Sequence, residues 1–524
     1  MKKRLVATAL ICFLLASLLV GCGNKQKAGP KGTTIREFVP QEPYAEQNQP
    51  TLQLEKTVLY RGEQLHISWE NAEDDHKIFV LQEGVCPDGV AEVLWESVVA
   101  EGDPGFNTQY MQRGYYNVFL CDHDGIYVHD VETIRIYDPE ETQDMGVRQA
   151  SLRTDEHGGM AIDITPAYNA VNQLEYRLYW SKDGAPLEDY TYLHSCIQMS
   201  GAPFSVTLNQ GLVMPQEANG VTITVSYGLS TDYFLELPEE LHVAEETPRY
   251  QFNVLSDIHV TQSSTKTNNF LKKAFTDIIA QGYSSMIFTV GDNTDQGTAK
   301  EYDRLKKLIA NAGTRLPNIY YTMGNHDIVY NSNAGFDNQL ALFREKLDMP
   351  GAYYAVEVNG VRNIILGSDT LSHLGTIGKD QQAWMKRELA KADPSEPIFI
   401  YLHQPLKDTV SGTLYTKYNK SDAQDSFGFL TDTEALRKIL KDYPNAIVFT
   451  GHTHYSFLSE QPVLLGEGQD ASFVACSSVG KARGGGLSEG LYVAVYDDYV
   501  LLRGRDFGSG KWSAPMQIKI PLYQ

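Results

Sequence analysis

Ile319-Tyr320-Tyr321-Thr322-Met323-Gly324-Asn325-His326-Asp327 opens as an apolar run and stops abruptly at a glycine and three polar residues able to bind a metal or move a proton. The same pattern recurs along the C-terminal half of the chain. Tyr250 to Leu255 precedes Asp257-Ile258-His259, and Ser285 to Val290 precedes Gly291-Asp292. Further apolar runs lead into His403 and into Gly451-His452-Thr453-His454. Short apolar runs bounded in this way read as buried strands, so the polar clusters fall where strands end and loops begin, the crevice position of an α/β sheet.

Between these strands the apolar period changes to that of helices. Phe270, Leu271, Ala274, Phe275, Ile278 and Ile279 make one helical face, and Tyr302, Leu305, Leu308 and Ile309 make a second. Leu342 and Phe343 lie in a third helical stretch, and Trp384, Met385 and Leu389 in a fourth. Thr431 and Glu434 have the spacing of a capping box ahead of Ala435, Leu436, Ile439 and Leu440. Repetition of strand and helix calls for a sheet covered by helices. Tyr354 to Val358, Asn359-Gly360 and Val361 to Leu366 form a hairpin pattern, as do Leu491 to Val495 and Tyr499 to Arg503 around Asp497-Asp498. Helices should therefore enclose two largely β layers.

Upstream the chain reads as all-β. From about Thr51 to Asp138, Leu65 to Trp69, Lys77 to Leu81, Tyr116 to Cys121 and Ile126 to Ile136 have strand patterns, and Asp122 to Gly125 reads as a turn. From about Val147 to Val243, Met160 to Ile164, Leu174 to Trp180 and Val221 to Val225 alternate, with Lys182-Asp183-Gly184 as a hairpin turn. Immunoglobulin or fibronectin type modules fit both blocks, and neither contains a ligand constellation. Spacing the C-terminal part from a membrane or packing against it is the role expected of them.

The amino terminus bounds the compartment. Lys2, Lys3 and Arg4 precede an apolar run of 16 residues, Leu5 to Val20, which is short for a membrane span and right for a secretory signal. It ends in Leu19-Val20-Gly21-Cys22, similar to the bacterial lipoprotein signal in which Cys22 carries the lipid. Residues Gly23 to Pro50 are polar and lack a core, as a tether would. Losing the signal takes the net charge from −22 to −25, because that segment has three basic residues and no acidic one. Such a surface repels a phosphate backbone, which disfavours polymeric nucleic acid as a substrate. The mature cysteines Cys86, Cys121, Cys196 and Cys476 match no compact zinc motif. A Cys86 to Cys121 bridge and buried free thiols both remain open, and Cys476 reads as a core strand residue.

The ligand arithmetic points to two metal ions. Asp257, His259 and His454 can surround one, Asn325, His403 and His452 the other, with Asp292 bridging through its two oxygens. Imidazole mixed with carboxylate or amide suits transition metals better than calcium, and the absence of thiolates argues against a soft-metal site. One Asp-x-His or His-x-His alone would be weak; five clusters in order, each after an apolar strand, are not.

In this order the motifs D-x-H, G-D, G-N-H-D, H and G-H-x-H resemble the calcineurin-like metallophosphoesterase family over about Arg249 to Arg505. The resemblance implies an α/β four-layer (α/β/β/α) metallophosphoesterase sandwich for the C-terminal part, and the upstream strand patterns make the fold multidomain, with two all-β immunoglobulin/fibronectin-like domains preceding it. The corresponding bounds are 1–21 for the signal peptide, 22–52 for a flexible tether, 53–142 and 143–245 for the β-sandwiches, and 246–524 for the metallophosphoesterase domain. It implies hydrolysis of phosphate esters, foremost phosphomonoesters, with two divalent or trivalent ions of Mn, Fe or Zn and a metal-activated water. It assigns Asp257, His259, Asp292 and His454 to one ion and Asp292, Asn325, His403 and His452 to the other. His326 becomes the general acid or a transition-state stabiliser, and Asp327 is expected to orient its ring. The expected partners are a small phosphorylated substrate and, through the Cys22 lipid, a bacterial membrane on its extracytoplasmic face; oligomeric state is not legible.

Substrate identity is less defined. Tyr330, Phe336, Tyr415 and Tyr418 are aromatic candidates for stacking, Lys407 and Lys417 could counter phosphate charge, and Asp408 to Phe429 reads as a polar insertion. Lys481-Ala482-Arg483-Gly484-Gly485-Gly486 lacks the finish of a P-loop and reads as a flexible loop near the site, and Gly504 to Phe507 reads as a turn. The competing readings are a phosphodiesterase of the same family and a substrate-binding or adhesive lipoprotein with a residual metal centre.

Overall fold

The computed structural model describes residues 50–83, 94–102, 105–123, 128–137, 146–155, 159–167, 174–198, 201–225, 232–243, 246–263, 265–282, 284–330, 335–414 and 429–523. The signal segment, Cys22 and nearly all of the tether lie outside them, as do Cys86, Tyr415, Lys417, Tyr418 and most of the expected insertion. Among the described residues no helix is long and apolar enough to cross a membrane.

Two six-stranded sheets form the C-terminal part. The first runs in the order Asn318–Thr322, Met286–Val290, Tyr250–Leu255, Glu489–Val495, Tyr499–Asp506, Lys511–Pro521. Its first three strands are parallel and the remaining pairings are antiparallel. The second runs Tyr354–Val358, Val361–Ile365, Ile398–Tyr401, Ala446–Thr450, Ser472–Ala475, Val463–Leu464, parallel through its four central strands. The apolar inner faces meet directly: Phe252 packs edge-on against Phe399 at 5.0 Å and Phe288 stacks on Tyr401 at 4.3 Å. The parallel strands thus deliver their carboxyl ends, and the loops that follow, to one edge of the paired sheets.

The outer faces are covered by helices. On the first sheet, Leu255, Ile287 and Tyr321 pack with Leu271, Phe275 and Ile278 of α1 (Thr265–Gln281), Tyr302 and Leu305 of α2 (Ala299–Ala312), and Phe343 of α4 (Phe336–Leu347), which follows the single-turn α3 (Asn325–Ile328). On the second, Ile364, Ile400 and Val448 pack with Met385 and Leu389 of α5 (Lys379–Leu389) and Leu436 and Ile439 of α6 (Thr433–Leu440). The hairpin at Asn359-Gly360 forms with φ of 50° and 81° at its two turn residues, the left-handed pair that matches strand twist.

Two local expectations are corrected. Thr431 does not cap α6; its hydroxyl donates to the Gly375 carbonyl at 2.8 Å and Asp432 takes the cap position. A full capping box forms instead at Thr298 and Glu301, at the start of α2. Gly504 to Asp506 is strand rather than turn, and Gly504 lies at a register shift where an added Cβ would meet Met516 and Phe457.

The upstream strands form separate sheets. A five-stranded sheet orders Val58–Tyr60, Val128–Tyr137, Gly114–Cys121, Lys77–Gln82 and Trp95–Val98, beside a two-stranded pair of Thr51–Leu54 with Ile67–Glu70. That pair begins inside the expected tether, because Leu52 is buried and its N–H donates to Asp130. The next block has Val147–Thr154, Met160–Pro166 and Phe204–Thr207 in one sheet, and Leu174–Lys182, Gly220–Val225 and Tyr233–Glu236 in another.

Both blocks pack on the C-terminal part. The second follows the strand Lys511–Pro521: Trp180 Nε1 donates to the Ala514 carbonyl at 3.2 Å, and the N–H groups of Thr191 and Val213 to the carbonyls of Trp512 and Gln517 at 2.8 and 2.9 Å. Phe79, Phe119 and Val131 of the first share a small core with Phe270 of α1 and Leu487. Arg177 locks the two blocks together, paired with Glu83 and lying over the ring of Tyr115. Cys121 and Cys476 are buried, and Cys476 follows its strand directly.

Candidate metal centre

Each polar cluster of the sequence directly follows a parallel strand, in a loop or, for Asn325 to Asp327, in the single-turn α3, and backbone hydrogen bonds tie several of these segments to one another. Asp257 and His259 donate their N–H groups to the carbonyls of Gly291 and Asp292 at 3.1 and 2.9 Å, and Gly451 donates to His403 at 2.9 Å. The turns are tight enough to force non-glycine residues to positive φ: 50° at Asp257, His259 and Asp292, 69° at His452 and 58° at His454. Such residues cost on the order of 1–3 kcal/mol each and persist where surrounding structure fixes them. Five of the seven expected ligands are held in this way.

The motif glycines have a steric role. A Cβ at Gly291 would strike the His403 ring, one at Gly324 would strike Asp292, and one at Gly451 would strike Ser256 and Asp257. Each glycine therefore lets one ligand loop lie directly on the next.

The seven expected ligands form two convergent sets. Donor atoms of Asp257, His259, Asp292 and His454 lie within 4.8 Å of one another, as do those of Asp292, His403 and His452. Asp292 belongs to both, with Oδ2 3.1 Å from His403 Nε2 and 3.8 Å from His259 Nε2. Asn325 Oδ1 lies 3.1 Å from His403 Nε2, and Asp257 Oδ1 3.0 Å from His454 Nε2.

Three imidazoles are oriented from behind. His403 Nδ1 bonds the Val290 carbonyl at 2.7 Å, His454 Nδ1 the Lys481 carbonyl at 3.2 Å, and His259 Nδ1 lies 3.4 Å from the Asp295 carboxylate. An acceptor at Nδ1 keeps a proton there, so that in the neutral ring the Nε2 lone pair faces inward, the arrangement that metal-ligating histidines use. His259 Nε2 and His454 Nε2 face each other at 3.1 Å, so two lone pairs converge beside two buried carboxylates. These residues fit transition-metal ions.

The electrostatics follow from that crowding. Burial opposes ionisation of Asp257 and Asp292, but His454 beside the first and His403 beside the second hold both carboxyls low, Asp257 at about 2. Burial also opposes charge on His403, yet Asp292 and Asp257 push it up to about 9.

His326 stands outside both sets. Its N–H donates to Asp292 Oδ1 at 2.8 Å, and its Nδ1 bonds the Asp295 carbonyl at 2.8 Å. The expectation that Asp327 orients this ring is corrected. The buried Asp327 carboxylate accepts from the N–H groups of Asn293, Thr294 and Gly324 at 3.2, 3.1 and 3.0 Å and from the Thr294 hydroxyl at 2.9 Å, binding the Gly-Asp loop to the Gly-Asn-His-Asp loop. Asp295 takes the orienting place, and it serves His259 as well. Its sequence signal was a second carboxylate three residues after Asp292.

Further supports had no signal of their own in the sequence. Ser256 Oγ donates to Asp257 at 2.6 Å, and Gln404 Nε2 lies 3.5 Å from Asn325 Oδ1. The buried Glu489 accepts from Ser456 Oγ, the Phe457 N–H and Ser477 Oγ at 2.9, 3.0 and 2.6 Å, bracing the loop after His454. Burial, with Asp506 nearby, pushes its carboxyl up to about 7. The Lys481–Gly486 loop lies beside His454, and the Arg483 N–H donates to the His454 carbonyl at 2.8 Å. Of the stacking candidates, Phe336 is half-buried against the core at the start of α4, whereas Tyr330 is exposed against His326. Lys407 lies over the Phe429 ring at 5.5 Å.

Residues 250–456 match the family model of the calcineurin-like phosphoesterases. The chain carries a calcineurin-like phosphoesterase domain and is a metal-dependent phosphoesterase. Among solved structures, it is similar to the purple acid phosphatase PPD1 of yellow lupin (Lupinus luteus) seeds, at 11% identity over 90% of this chain and 96% of that one, with a TM-score of 0.40. Vps29 of Chaetomium thermophilum is similar at 11% identity over 49% of this chain and 87% of that one, TM-score 0.22. A two-domain fibronectin type III segment of chicken tenascin is similar at 12% identity over 36% of this chain and 99% of that one, TM-score 0.13. No curated protein matches the chain.

Proposed function

We propose that the phosphoesterase acts chiefly on phosphomonoesters through a centre of two transition-metal ions, Mn, Fe or Zn. The observation that carries this reading is the position of Asp292 in both convergent donor sets. Asp257, His259, Asp292 and His454 would hold one ion, and Asp292, Asn325, His403 and His452 the other. When bound, such ions supply Lewis-acid stabilisation of phosphoryl charge and lower the pKa of an attacking water.

The chain's own residues do the rest. Because a carbonyl oxygen can only accept, the Asp295 carbonyl fixes a proton on His326 Nδ1. A transferable proton on Nε2 therefore exists only in the imidazolium form, and His326 acts as general acid by giving that proton to the departing alkoxide. Asp295 is a positioning residue for this ring and for His259.

The helix–sheet–sheet–helix order of the packed cores supports reading 246–524 as a four-layer α/β/β/α sandwich. Sheets that share no strand support β-domains at about 53–142 and 143–245. The basic and apolar run ending at Cys22 supports a lipid anchor on the outer face of a bacterial membrane.

The test is an assay of the protein, stripped of metal and reloaded with Mn, Zn or Fe, on matched phosphomonoesters and phosphodiesters. Faster release from monoesters agrees with the proposal. Turnover of diesters alone would transfer the assignment to a phosphodiesterase with the same residues. Failure to take up metal would leave the binding-lipoprotein reading in its place.

A further inference from the structure

Eight large apolar side chains are exposed among the described residues, and four of them, Tyr330, Leu374, Phe429 and Tyr455, lie on loops that carry or adjoin the centre. That concentration is hard to ascribe to chance exposure, because the centre occupies a small part of the surface. Tyr330 is the best placed of the four. Its ring is 48% exposed and lies 4.2 Å from the His326 ring, tilted by 32°.

The ring is also fixed from the other side. His373, itself exposed, meets Tyr330 edge to face at 5.2 Å. The His373 carbonyl accepts from Gln404 Nε2 at 3.1 Å, and the same nitrogen lies 3.5 Å from Asn325 Oδ1. A row of rings therefore leads outward from the centre, His259 to His326 at 4.5 Å, then Tyr330, then His373.

We infer that Tyr330 and His373 form a leaving-group subsite that selects phosphoesters whose alcohol carries a planar aromatic ring. The inference rests on the phosphoesterase reading, with His326 on the leaving-group side. A departing group protonated by His326 lies beside the imidazole, and Tyr330 is the exposed ring that adjoins that imidazole, at 4.2 Å. Tyr330 and His373 present rigid π faces and edges, which favour offset or edge-on contact with another ring beyond what area alone gives. A saturated group of the same size fills the space without that gain. Benzylic and nucleoside alcohols share this chemistry, and separate arms of the test distinguish them.

The experiment measures kcat/KM for two matched pairs, benzyl against cyclohexylmethyl phosphate and adenosine 5′-monophosphate against ribose 5-phosphate, with wild type, Tyr330→Phe and Tyr330→Leu. Each pair keeps a primary alcohol as the leaving group, so the chemistry of departure is constant. The expected result is a wild-type preference for at least one aromatic member, kept in Tyr330→Phe and reduced about fivefold in Tyr330→Leu, chiefly through KM. His373→Ala should reduce the same ratio in the same direction. An active wild type with no aromatic preference, or a Tyr330→Leu loss equal for both members of each pair, overturns the subsite and leaves the phosphoesterase reading standing. A metal-loaded wild type that hydrolyses none of the four overturns the subsite together with the phosphomonoester reading, and a parallel assay on diesters then decides whether the phosphoesterase reading stands.

Discussion

Asp295 stands between two histidines of different role: its carboxylate lies 3.4 Å from Nδ1 of His259, and its carbonyl bonds Nδ1 of His326 at 2.8 Å. One residue thus orients a proposed metal ligand with its side chain and the proposed proton donor with its backbone. Asp295→Ala removes only the first contact directly. We predict a fall of about 10–100-fold in metal affinity or turnover, as is usual when the partner of a ligating histidine is lost. Metal titration together with steady-state kinetics checks this, and a change below about twofold in both would exclude the role.

Asp292 and His326 should separate binding from proton transfer. Asp292→Ala should abolish both metal content and turnover, because its carboxylate serves both donor sets. His326→Ala should keep both ions and lose about 10²–10⁴ in rate, most for esters with poor leaving groups. Elemental analysis of the His326 variant decides the matter, since stoichiometric loss of both ions would make His326 a ligand.

Asp327→Ala should behave as a scaffold mutation. It strips the N–H groups of Asn293, Thr294 and Gly324 of their buried acceptor, a loss of at least about 3 kcal/mol in unfolding free energy. Its residual activity should fall by the same factor for aryl and alkyl esters, unlike that of His326→Ala. A leaving-group-dependent loss in this variant would restore a direct catalytic role.

Gly451→Ala should disturb the centre more than the fold. The new methyl group would press on Ser256 and Asp257. An affinity loss above about tenfold for metal, from roughly 1.4 kcal/mol or more of strain, is the outcome expected of overpacking. Metal titration of the folded variant, its integrity shown by circular dichroism, measures it.

Glu489 should make stability fall as pH rises. Its folded pKa of about 7 exceeds the ordinary 4.5, so the folded state binds the proton more tightly. The contribution is fully present below about pH 4.5 and is lost as pH rises through about 7, on the order of 3 kcal/mol in total. Urea unfolding of wild type and Glu489→Gln between pH 5 and 8 should show a slope in the first that is absent from the difference-free variant. Parallel curves would mean that the three donors around Glu489 hold it ionised.

The strand positions and ligand clusters were legible because apolar runs ending in Asp, His or Asn are local patterns, set by chain order alone. Hairpins were legible for the same reason, as the Asn359-Gly360 turn illustrates with its two positive φ values. The cap of α6 was misread because Thr431 found a better acceptor in Gly375, 56 residues away in sequence. The partner of His326 was misread because adjacency in sequence suggested Asp327, whereas the backbone of α3 turns that carboxylate toward Asn293 and Thr294.

From its sequence alone this protein has its strand-end chemistry, its helix faces and a donor inventory rich in imidazole and carboxylate, all properties of neighbouring residues. Only the tertiary structure decides that Asp292 lies between two donor sets, that Asp295 supports two histidines, and that Tyr330 lies open beside His326. The first of those relations joins loops far apart in the chain, and it exists because packing of the two sheets brings the ends of their parallel strands to a common edge.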